Sequence, residues 1–197
     1  MRFANSMSWQ VTWGSEHEVD VALYIRDALA LSVADGQVLP PVEPAVPVHI
    51  PPGVDRAAVQ EQWADWWTDL LAFLRNRTDP DPRFSHGRYR RPALAEDSAM
   101  RHAVAEFSPL ASRHNATGDW ATRRQRAGDG IVGELVREAE ERTGRRARPF
   151  QLAIIEISVA GRVWQRQDQG QILVSNRFSS DRRALGGALR KVIDELA

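Results

Sequence analysis

The chain of 197 residues contains no cysteine, and Lys191 is the single lysine among its 26 basic residues. The first absence excludes disulfides, thiolate metal sites and a cysteine nucleophile together. The second leaves one candidate for a Schiff-base or general-base lysine, on an expected surface of the last helix. No apolar run approaches the roughly 18 residues a membrane-spanning helix requires. Met1 to Val11 carry one arginine and several polar residues, with neither the apolar stretch nor the cleavage site of an export leader. The expectation is a bacterial cytoplasmic protein without a membrane partner.

Several chemical signatures are also missing. No GxSxG elbow occurs, and Ser15, Ser179 and Ser180 sit where helix caps are expected. No HExxH pattern joins any of the five histidines; His17 lies between Glu16 and Glu18, and His102 with Glu106 reads as an ordinary i,i+4 pair. Gly128 to Gly133 spells GxGxxG, yet the residues before it, Ala121 to Arg126, are too polar for the buried strand that must aim such a loop at a pyrophosphate. No catalytic residue, metal ligand or cofactor is therefore expected.

What is present is an ordinary globular composition, 43% hydrophobic and 26% charged. This length fits one hydrophobic core, so a single α+β domain over 1–197 is expected. Net charge is zero overall. Residues 1–74 hold ten acids and three arginines, and residues 75–197 sixteen acids and 23 bases. The two parts should attract one another within the fold.

Trp9, Val11 and Trp13 alternate with polar residues as in a strand. Ser15 and Glu18 have the spacing of a capping box, predicting a helix from about Glu16 to Ala34 that stops at Gly36. Six prolines between 40 and 52 predict an extended connector lying along the body. From Asp55, Val59, Trp63, Trp66, Trp67, Leu70, Phe73 and Leu74 recur at helical spacing. Leu94 to Phe107 predicts another helix, with Ser108-Pro109 starting a short separate one, and Ile131 to Thr143 a third ended by Gly144.

The tail changes period. Phe150 to Val159, Arg162 to Arg166 and Gln171 to Ser175 read as three strands, the last two joined by a hairpin turn at Asp168-Gln169-Gly170. Ser180 should cap a closing helix over them. The fold class expected is α+β: a small antiparallel sheet, built as a C-terminal three-stranded meander that the N-terminal strand can join, and covered by several helices.

Two features suggest contact. Trp63, Trp66 and Trp67 form an indole-rich helix face, of the kind that builds a core, a subunit interface or a ligand cage. Arg83, Arg88, Arg90 and Arg91 interleave with His86 and Tyr89, and arginine forks with aromatic rings suit phosphates, carboxylates or stacked bases. Since no catalytic constellation survives, the leading expectation is a non-enzymatic interaction protein, a homo-oligomer or assembly subunit, using one of these surfaces. The alternatives are an enzyme or small-ligand binder with a pocket of sequence-distant residues, and nucleic-acid or phosphate binding through residues 75–91, which the neutral overall charge does not favour.

Overall fold

The structure is a computed structural model that describes residues 9–33, 38–77, 94–95, 97–116 and 130–197. Strand β1 (Gln10–Ser15) leads into helix α1 (His17–Ala28), followed by α2 (Arg56–Arg77), α3 (Ala99–Ala116) and α4 (Ile131–Thr143). Then come β2 (Gln151–Ile157), β3 (Trp164–Arg166), β4 (Gln171–Ser175), the short α5 (Asn176–Ser179) and α6 (Arg182–Leu196). The class is α+β, with four strands in one mixed sheet of order β1-β2-β4-β3.

That order corrects the expected meander. β2 pairs in parallel with β1 on one side and with β4 on the other, and only β3 is antiparallel to its neighbour β4. The chain does run up, down and up through β2, β3 and β4, but β4 inserts between the other two. Burial supplies the reason. All five residues of β4 are buried, whereas Trp164, Gln165 and Arg166 of β3 remain half-exposed. A continuous run such as Ile172-Leu173-Val174 suits the centre of a sheet covered on both faces, and a short polar strand suits its rim. The hairpin turn permits the insertion at Gly170, where a Cβ would fall 3.0 Å from the carbonyl oxygen of Gln151.

Both sheet faces carry helices, so successive residues of β2 enter different cores. Ile155, Ile157 and Leu173 pack with α1, α2 and α3. Leu152, Ile154, Ile172 and Val174 pack with α4 and α6, joined by the half-buried Trp9, Val11 and Trp13. Helices α4 and α6 run side by side in the same direction, linked by Arg182–Glu134, Arg190–Glu138 and Arg142–Asp194 at 3.7, 2.6 and 2.5 Å. These pairs are exposed and fix register more than stability.

Helix α1 is shorter than predicted. Ser15 ends β1, and Glu16 occupies the cap position without a side-chain cap bond. At the other end Ala30 adopts a left-handed φ of 47°, while Ala30 N donates to Asp27 O and Leu31 N to Arg26 O. This is the paired-bond helix stop usually built on glycine. Alanine tolerates it here because other segments take up the helix-end carbonyls. His49 N donates to Ala28 O, and the Arg56 guanidinium donates to Leu29 O and Ala30 O at 2.6 and 2.7 Å. Sequence spacing alone carries no sign of those long-range partners.

The proline-rich stretch is held closely. Arg26, buried on α1, donates to Leu39 O and Pro40 O, and pairs with Asp27, whose other oxygen accepts from Val42 N at 2.6 Å. Val42 forms an antiparallel bridge with Val159, and Arg177 pairs with Glu43. Helix α3 corrects another expectation by continuing unbroken through Pro109. The closing helix is capped by Asp181, not Ser180: its carboxylate accepts from Arg183 N and Ala184 N. Gly130 caps α4 with φ of 81°, and α4 delivers the chain into β2; Gly128 and Asp129 lie outside the described residues. No described helix is long and apolar enough to cross a membrane.

Candidate functional site

The three helix tryptophans occupy the interior. Trp63, Trp66 and Trp67 are 2%, 8% and 3% exposed. Trp63 stacks on Trp67 with ring centroids 5.5 Å apart, and its indole N–H donates to Ala22 O of α1 at 3.0 Å. Large rings with a satisfied polar handle fasten α2 to α1.

Of the remaining residues singled out in the sequence, Arg83, His86, Arg88, Tyr89, Arg90 and Arg91 lie outside the described residues. The four described histidines are scattered. His17 Nε2 lies 3.1 Å from Ser108 Oγ, the His114 ring meets Tyr24 edge-on at 5.5 Å, and His49 and His102 belong to the connector and α3. No group of three metal-ligating side chains forms among the described residues.

Two features escaped residue-by-residue reading. One is a cleft of about 300 Å³ between the C-terminal half of α2 and the β3–β4 hairpin. Its apolar wall is Leu39, Trp67, Leu71 and Leu173; its polar side includes Gln165, Gln167, Asp168 and Gln171. Arg75 pairs with Asp168 at 2.7 Å across the same cleft. The hairpin turn holds Asp168 in place through Gly170 N, which donates to its carboxylate at 2.7 Å. The lining comes from three separate segments of the chain, at Leu39, between Trp67 and Arg75, and between Gln165 and Leu173, and no short motif announces it.

The other is the outer edge of β1. Gln10 N donates to Phe150 O at 2.9 Å, and the register pairs Gln10 with Gln151. In a parallel pair, both backbone groups of one residue face the neighbouring strand and those of the next face away. Gln10, Thr12 and Gly14 therefore bond to β2, while the N–H and C=O groups of Val11 and Trp13 point outward. Among the described residues, no strand pairs with that side. From Trp9 to Ser15 there is no charged residue and no proline, the usual guards of an exposed edge. The sequence did show this neutral stretch, although its place in the sheet could be known only from the fold.

No protein-family model, curated protein or solved structure matches the chain.

Proposed function

We propose that the protein acts by contact and not by catalysis, as an interaction protein whose sheet joins that of a second copy through β1. The observation that carries this reading is the neutral outer edge of β1, which has no strand beside it among the described residues. The strand is also self-complementary. An antiparallel two-fold centred on Thr12 sets Val11 of one copy against Trp13 of the other, each pair exchanging two backbone hydrogen bonds. Thr12 then faces Thr12 at the axis. Aromatic–β-branched and threonine–threonine cross-strand pairs are favourable, each contributing about 0.2–1 kcal/mol. The two four-stranded sheets would become one continuous sheet, which removes both exposed β1 edges at once.

Sedimentation analysis across a concentration series tests the reading. A dimer is expected for the native chain, and Val11→Pro, which removes an outward N–H, should be monomeric with an unchanged circular dichroism spectrum. A native chain that stays monomeric, or a Val11→Pro dimer of equal affinity, would refute it.

A further inference from the structure

We infer that the cleft between α2 and the β3–β4 hairpin binds a small, neutral, planar molecule bearing a carboxamide or lactam group. The inference is independent of β1 and rests on two glutamines. Gln171 is only 2% exposed; its Nε2 donates to Leu71 O at 2.9 Å, and its Oε1, for which the described residues supply no donor, keeps some solvent access. Gln167 Nε2 is enclosed and donates to nothing among the described residues. Buried polar atoms are nearly always paired, and the enclosed Gln167 N–H left over marks a place where water or a ligand completes the set. Both side chains line the cleft. The terminal torsion of glutamine is soft, so a turn of the Gln167 carboxamide presents its N–H to the space it borders.

The cleft thus offers one acceptor and one donor. A carboxylate ligand has no N–H for Gln171, and an ammonium has no acceptor for Gln167. An amide group carries both, side by side and in one plane. The charges of Arg75 and Asp168 largely cancel at 2.7 Å, which favours an uncharged ligand over either ion. The apolar wall of Trp67, Leu71 and Leu173 suits a flat ring. A volume of about 300 Å³ lies at the lower end of ligand pockets and fits a substituted single ring, not a nucleotide.

Saturation-transfer NMR on the full chain with nicotinamide and benzamide as probes, and benzoate as control, tests the inference. Both amides should show transfer and benzoate none. Ala72→Phe, which fills the cleft from a half-buried lining position on α2, and Gln167→Leu should abolish transfer from the amides. Gln167→Leu should also raise the unfolding temperature of the unliganded protein, because an unpaired buried amide is removed. That rise shows folding is intact and that the lost signal reports the site. Absence of transfer from both amides, equal transfer from benzoate, or transfer retained in Ala72→Phe and Gln167→Leu would overturn the proposal.

Discussion

The two edges of the sheet differ in length, charge and surroundings. β3 has three residues, ends in Arg166, and follows Arg162. Arg166 pairs with Glu195 and Arg162 with Asp181, so the rim of β3 carries charge on helix α6 and its cap. The Phe178 ring meets Trp164 at a tilt, with centroids 5.4 Å apart, and lies under the Arg162 guanidinium. β1 has six residues, all uncharged. Short, charged strands discourage pairing with another chain, and long neutral ones invite it. Among the described residues, the sheet therefore has a protected side and one with no strand beside it, a difference that composition averages conceal.

The largest effect is expected from giving β1 the guard it lacks. Thr12→Lys places two like charges opposite each other at the proposed two-fold. It should weaken self-association by about 2–3 kcal/mol, or roughly 100-fold, as read by sedimentation equilibrium. The fold should be unaffected, since Thr12 is half-buried at an edge. The reverse change, Arg166→Val on β3, removes a partly exposed ion pair and the guanidinium bonds to the turn carbonyls of Asp168 and Gln169, and should lower stability by about 1–2 kcal/mol in urea unfolding. It should leave association unchanged, because three residues supply too few pairs to hold a second sheet. A gain in self-association equal to that of β1 would erase the distinction between the edges.

Ala30→Gly separates stability from association. Ala30 holds a left-handed φ of 47° away from both edges, and glycine relieves that cost. Stability should rise by about 0.5–1 kcal/mol with no change in oligomeric state. The smallest effect concerns the guard on β3. Hydrogen bonding from the Ala184 N–H, and then from the Arg162 side chain, holds the Asp181 carboxyl below its ordinary range. A carboxyl whose pKa is lowered by folding stabilises the fold above its unfolded pKa, and that contribution disappears as pH falls through the folded value. Asp181→Asn should thus flatten the acid limb of the stability curve below pH of about 4, measured by thermal unfolding at successive pH values.

Much of the helical layout was legible in the sequence. The α4 boundaries, Ile131 to Thr143 with Gly144 behind, follow from local pattern, and Gly144 has the left-handed φ of 65° such a stop requires. The β3–β4 turn was legible for the same reason, because Asp168 and Gly170 bond within three residues. What failed depended on distant partners. The end of α1 is set by His49 and Arg56, and the placement of β4 by burial on two faces. Pro109 suits a helix start, where its missing N–H is cheapest, yet α3 continues through it. The tryptophans illustrate the limit on function: helical spacing gave a correct apolar face, but only packing against Ala22 and the adjacent helices assigns it to the core. Gln171 opens a buried strand with an amide, and only the fold shows the cleft that it lines.

Residue-resolved amide exchange across protein concentration tests the central claim most directly. The amides of Gln10, Thr12 and Gly14, which face β2, should be protected at every concentration, while those of Val11 and Trp13 should exchange quickly in dilute protein and slow markedly as the dimer forms. Fast exchange of Val11 and Trp13 at all concentrations, or protection that does not depend on concentration, would contradict the account.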